Sequence, residues 1–230
     1  MKTTTVSVVC SLAIGLLVAG CSTAPKSGKY SEVPEAEKLE RDTRFPHSLV
    51  YLKEGVKFAQ YSKFIIDPVA IYQGTDASWH KHKVTEQEKQ ELAQFARAEF
   101  VRVLGKAYGV VDQPGPGVLR IKLTLTDVEL TTPSLAVVSH LAPAGAGINL
   151  IKSGAGMQGS FMGSVTLAGE LCDAQSGTAV AAFLTKQTPL ALDVSKTFGK
   201  FSAARSGITE SAEKFKAALE RAHAAPAPGV

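Results

Sequence analysis

Cysteine is nearly absent from this chain. Its 230 residues hold three, Cys10, Cys21 and Cys172, and Cys10 falls inside an apolar N-terminal run. That is too few for a disulfide framework, so whatever folds must be stabilised by its core. Charge of one sign is also scarce. Lys and Arg number 25 against 21 Asp and Glu, a formal net charge of +4 that drops to +3 once Lys2 is removed with the leader. Such a balance is too mild to argue for a nucleic-acid partner. No apolar run reaches the ~20 residues that a retained transmembrane helix needs. There is no internal repeat of useful length. Ser139-His140 has no Asp arranged with it, and no G-x-S-x-G elbow occurs.

What is present begins with the leader. Lys2 supplies a positive start, Val6 to Val18 is apolar with small interruptions, and Ala19-Gly20 precede Cys21. Residues 1–20 therefore read as a secretory signal peptide. Val18-Ala19-Gly20-Cys21 resembles the lipobox of bacterial lipoproteins. The resemblance implies cleavage before Cys21 and its acylation, with palmitate-type chains that together anchor stably at ~0.8 kcal/mol per buried CH₂. Ser22, where an acidic residue would resemble an inner-membrane retention signal, implies the outer membrane with the body facing the periplasm. Acylation of Cys21 leaves Cys172 alone, and its apolar strand context reads as a buried, inert thiol.

Residues 21–45 read as the acylated cysteine and a flexible tether, being rich in Ser, Lys, Glu and Pro without apolar periodicity. Residues 46–222 read as the ordered domain. Leu49 to Leu52 is a short strand. Phe64 to Tyr72 is a stronger one, with Pro68 marking an edge, a bulge or a break. Thr85 with Glu88 three residues on predicts a capping box. The helix it opens carries Leu92, Phe95, Ala96, Phe100, Val103, Leu104 and Ala107 at helical spacing, and Gly105 and Gly109 offer the stop. Leu119, Ile121, Leu123 and Leu125 alternate with Arg120, Lys122, Thr124 and Thr126, a strand with one wet face. Val165 to Leu171 and Val180 to Thr188 read as a hairpin around Asp173 to Gly177. Ile208, Ala212, Phe215 and Leu219 give one face of a final helix. Residues 223–230 read as a disordered tail. The expectation is an α+β fold: a single domain, mostly antiparallel sheet with two helices on one face.

Candidate chemistry is sparse. His80-Lys81-His82 falls in the polar stretch Gly74 to Lys83, which reads as a solvated loop before the helix; in a strand its two imidazoles would share a face, with Asp76 nearby, but zinc wants three or four protein ligands. Trp79 could be an exposed partner anchor or pack over the sheet edge. Gly154-Ala155-Gly156-Met157-Gln158-Gly159 matches G-x-G-x-x-G, but a strand follows it where a helix is required. Asp127 and Glu129 lie two apart on a strand; such a pair is usually solvated, though it could serve catalysis. The Gly-rich, apolar stretch 133–163, including Leu135, Val137 and Val138, is either a long crossover or a surface that docks a partner or the membrane. A pore hairpin would need two alternating runs of ~9–11 residues, and neither is evident.

Several segments, in order, resemble one family: Leu49-Val50-Tyr51-Leu52, Tyr61 to Val69, Val111 to Arg120, and Glu170-Leu171-Cys172-Asp173-Ala174-Gln175-Ser176-Gly177. They are similar to the domain-of-unknown-function 3313 family of bacterial lipoproteins, over residues 45–222. The resemblance implies a lipoprotein and transfers no catalytic residue. The resulting expectation is a non-enzymatic outer-membrane lipoprotein, an envelope binding or assembly accessory with the membrane and an envelope protein as partners, no cofactor, and no resident metal. The alternative is a periplasmic enzyme or metal-binding protein using the His80/His82 region.

Overall fold

The computed structural model describes residues 25, 30, 33–41, 43–45, 47–130, 163–188 and 199–224. The signal peptide, Cys21, the stretch with Leu135, Val137 and Val138, and residues 225–230 lie outside the described residues. The elements are β1 (Glu40–Arg41), β2 (Ser48–Leu52), β3 (Lys63–Ile66), β4 (Ala70–Ile71), α1 (Trp79–His82), α2 (Glu86–Leu104), β5 (Gly109–Val110), β6 (Val118–Glu129), β7 (Ser164–Asp173), β8 (Ala179–Gln187) and α3 (Ser202–Ala224). No helix among the described residues is long and apolar enough to cross a membrane.

The strands form one sheet in the order β1-β2-β8-β7-β6-β3-β5, with β4 also paired to β6. From β1 to β6 every pairing is antiparallel. Beyond β6 the sheet turns parallel, because α2 carries the chain back between β4 and β5 and a crossover returns strands in the same direction. Pro68 acts as the break it signals. Asp67 donates its N–H to Ile121 O, β3 ends, and β4 resumes alongside Thr124 and Leu125 of the same neighbour.

α2 starts at the predicted box: Glu88 N donates to Thr85 Oγ1 at 3.2 Å and Thr85 N to Glu88 Oε2 at 2.9 Å. Its Leu92, Ala96, Phe100, Val103 and Leu104 are buried, and Gly105 caps it. α2 packs on β3 to β6, α3 on β7 and β8, and the two helices pack on each other. Leu119, Ile121, Leu123, Leu125, Leu167 and Leu171 face this helix layer and are buried. α3 comes closest at Gly207, where a Cβ would meet Val165 Cγ1 at 2.7 Å.

The other face of the sheet corrects one expectation. The tether read over 21–45 is packed at described positions: Pro25 is buried, Tyr30, Val33 and Leu39 join the core, and β1 extends the sheet. The reason is long-range. Leu49, Ala168 and Leu184 turn away from the helices and are apolar, so they need a cover that only distant residues can supply.

Candidate functional site

Trp79 is not an exposed anchor. It is 1% exposed. The Lys89 Nζ sits 4.9 Å over its ring, and its indole Nε1 finds no hydrogen-bond partner among the described residues. The cause is Asp127, which accepts from Ser78 N at 2.9 Å and Trp79 N at 3.2 Å and so turns this segment inward. Nor do His80 and His82 share a strand face. They lie on α1, where backbone positions two apart are turned about 200° from each other. His80 Nε2 lies 3.2 Å from Gly74 O. No group of three or more metal-ligating side chains occurs among the described residues.

Asp127 is 3% exposed, against the expectation of a solvated strand-end pair. A bulge in β6 between Leu125 and Asp127 breaks the alternation and sends the carboxylate to the face opposite the helices, where it stands beside Thr166. There it also accepts from Tyr30 Oη at 2.8 Å and Ser78 Oγ at 2.7 Å. Burial, and then the charge of Asp127, pushes the Tyr30 phenol well above its ordinary range. Glu129 is occupied separately by Lys186 at 2.8 Å and Ser164 at 2.7 Å. Burial alone would raise its carboxyl, but those partners outweigh it and the net shift is downward. The two acids are thus a fastener and a surface ion pair, not an acid–base couple. Cys172 is buried as expected; burial, then Glu170, which accepts from its thiol, pushes it up to about 11.

An apolar concave feature lies elsewhere. The sheet is seven strands across, about 29 Å at ~4.8 Å per spacing. Two helices of ~10 Å each cover about 20 Å of that. The remainder falls over β2 and β8, beside α3. Here lie two adjoining clefts of about 410 and 490 Å³ that share Arg44, Phe45, Leu52, Ala181, Ala218 and Arg221. Each is within the ~300–1,000 Å³ of small-molecule sites. The floor is Phe183 of β8, whose ring covers Gly169 of β7 where a Cβ would collide with it. One wall is Phe215 of α3, its ring centroid 5.8 Å from that of Phe183 and 5.7 Å from that of Phe100.

The ends of this groove differ. At one end are Ser48, Thr185, Gln187, Ser211 and Lys214; at the other Val56, Phe58, Leu171, Leu219 and Ala222. Every charged side chain lining it among the described residues is basic: Arg44, Lys57, Lys214 and Arg221. Lys214 is already engaged, with Glu210 at 2.9 Å and Gln187 Oε1 at 2.8 Å. Arg221 makes no ion pair among the described residues and is exposed. Burial, and then the charge of Lys214, lowers the His47 imidazole. Of the residues expected to act from the sequence, the described ones, Trp79, His80, Asp127 and Glu129, do not line this groove. The signal that could have found it is a second line on the last helix, Ser211, Phe215, Ala218 and Ala222 at i, i+4, i+7 and i+11, widening the apolar arc beyond what one sheet contact uses.

No curated protein matches the chain. Among solved structures it is similar to a PelC dodecamer from Paraburkholderia phytofirmans, at 12% identity and TM-score 0.36, over 71% of this chain and 96% of the other. It is similar to a DUF4136 family protein (BT2437) from Bacteroides thetaiotaomicron VPI-5482, at 12% identity and TM-score 0.36, over 75% and 97%. A putative neuraminyllactose-binding hemagglutinin homolog from Helicobacter pylori follows at 13% identity and TM-score 0.33, over 74% and 86%. Likenesses this distant carry no argument about activity. The family match is of another order: it runs over residues 26–215, so it takes in the Tyr30 strap that the resemblance over 45–222 left out. The chain belongs to the family described as protein of unknown function (DUF3313).

Proposed function

We propose that this chain is a lipid-anchored accessory of the bacterial outer membrane, acylated at Cys21 with its domain in the periplasm, that binds an apolar, negatively charged component of the envelope without transforming it. The observation that carries the reading is the groove beside α3, with aromatic and aliphatic walls and only basic residues among its charged lining. Its chemistry suits recognition: Phe183 and Phe215 are held by ring contacts, Lys214 by hydrogen bond and ion pair, and neither cleft is lined by a carboxylate among the described residues. The lipobox-like Val18 to Cys21 supports the anchor.

The test is recovery of the protein from membranes in mild detergent beside a Cys21→Ser control. The expected result is an intact mass that includes acyl chains on Cys21, residence in the outer-membrane fraction, and a bound envelope component. Ala218→Trp, which fills the groove, should release that component; Leu135→Ser with Val138→Ser should not. An unacylated protein in the soluble periplasm refutes the anchor. A component retained by Ala218→Trp and lost with the Leu135 and Val138 changes moves the contact away from the groove.

A further inference from the structure

The ligand class can be narrowed, and this step rests on reading the groove as the binding element. The groove is a slot, not a bowl. Along β8 its lining runs from Gln187 to Ala181, about 20 Å at ~3.4 Å per residue. Along α3 it runs from Ser211 to Ala222, about 16 Å at 1.5 Å per residue. A trough of that length, with Phe183, Phe215, Ala181 and Ala218 along it, fits an extended chain. Between the polar end at Gln187, Ser211 and Lys214 and the last turn of α3 the walls are apolar, and at that last turn Arg221 stands exposed without an ion pair among the described residues. Arg44 lines the same shared section.

We infer that the groove holds a single-chain anionic amphiphile, of which a long-chain carboxylate is the simplest member, with its chain along Phe183 and Phe215 and its head against Arg221. An apolar chain displaces water from the trough, and a guanidinium binds a carboxylate through two parallel N–H donors. A cationic amphiphile with the same chain gains the first and is repelled at the second. The charge preference is therefore the signature of this site, and affinity for apolar matter alone is not.

The experiment is calorimetric titration of the full chain carrying Cys21→Ser with laurate and with dodecyltrimethylammonium, both below their micellar concentrations. Laurate should bind saturably at one per chain, and dodecyltrimethylammonium at least roughly tenfold more weakly. Arg221→Glu should weaken laurate by roughly tenfold or more, and Arg221→Lys should recover part of that loss. Ala218→Trp should abolish binding of both. Circular dichroism on each variant checks folding, and Arg221, on the exposed side of α3, gives the variant least able to unfold the domain. Equal binding of the two amphiphiles overturns the inference, as does laurate binding that survives Ala218→Trp. A self-associating chain that Ala218→Trp turns into a monomer also overturns it, because a second copy would then fill the groove. Absence of acyl chains on wild-type Cys21 defeats the anchoring reading and leaves this titration valid. Absence of laurate binding by the folded chain defeats this inference and leaves the anchor standing.

Discussion

Replacing Tyr30 by Phe tests whether the N-terminal strap belongs to the fold. The ring stays, with its burial and its edge contact to Tyr72 at 5.5 Å, and only the hydroxyl that donates to Asp127 at 2.8 Å is lost. A hydrogen bond to a charged acceptor contributes ~1.5–3 kcal/mol. Asp127 keeps its donors from Ser78 and Trp79, so no charge is stranded and the lower half of that range applies, about 2 kcal/mol. With a urea m-value of ~2 kcal/mol/M, the unfolding midpoint should fall by about 1 M. Asp127→Ala should cost more, ~3–5 kcal/mol, because it strands the buried donors of residues 78 and 79. The double variant should fall short of the sum by ~1–2 kcal/mol. Alkali gives a second reading. The folded phenol titrates above its ordinary 10.0, so above about pH 10 the unfolded chain releases a proton that the folded chain keeps. The contribution of Tyr30 is thus whole below about pH 10 and lost as pH rises toward the folded value. Tyr61 and Tyr108 shift the same way, chiefly by burial, so Tyr30→Phe should flatten the alkaline fall without abolishing it. A Tyr30→Phe stability within about 0.5 kcal/mol of wild type, with an unchanged alkaline limb, would refute the reasoning and return residues 30–41 to the role of tether.

Three further outcomes are expected. Gly207→Ala should destabilise by ~1–3 kcal/mol in chemical denaturation despite alanine's higher helix propensity, since its Cβ meets Val165 and Gln187 at 2.7 and 3.1 Å; a gain in stability would show that α3 sits farther from the sheet. Thr85→Ala should cost ~1 kcal/mol in the same assay, by removing the cap that Glu88 N uses, and a change below a few tenths would deny the box its role. Cys172, with its thiol near 11 and buried, should resist iodoacetamide at about pH 8 in the folded protein and react at once in urea; rapid native labelling followed by mass spectrometry would contradict the burial.

What the sequence made legible was local. The capping box over Thr85 and Glu88, the Gly105 stop, the Asp173 hairpin and the alternation of Leu119 to Leu125 each depend on residues within a few positions, and each appears as read. What was hidden depends on partners far along the chain. Tyr30 meets Asp127 across 97 positions, and three apolar residues scattered through a Ser, Lys and Glu stretch carry no period that announces them. The bulge at Leu125 and Asp127 is equally silent, yet it decides whether that acid is solvated or buried. Trp79 follows from the same bulge, because the buried carboxylate is what draws its backbone inward. The antiparallel majority of the sheet was readable from the hairpin; the parallel minority follows from one helix connecting β4 to β5, which the strand pattern alone does not pair. The groove was hidden for a different reason. It is a mismatch between the width of a sheet and the number of helices covering it, and no residue pattern states a width.

The buried strap changes what an anchor at Cys21 would do. A tether running to residue 45 could hold the domain ~80 Å from the bilayer at full extension. With Tyr30 in the core and Pro25 buried as well, an anchor at Cys21 would lie nine positions from Tyr30 and four from Pro25, at most ~31 Å and ~14 Å at ~3.4 Å per residue. An acylated Cys21 would therefore hold the domain within about its own diameter of the lipid surface, where acyl chains are the most abundant apolar matter. The same geometry joins anchor to fold. A pull on an anchored Cys21 would reach Tyr30, and through Tyr30 Oη the carboxylate of Asp127, which also fastens Ser78 and Trp79. The path from such an anchor would thus end in the core on a buried carboxylate, on the face opposite the groove, so tension on it and occupancy of the groove would act on different sides of one sheet.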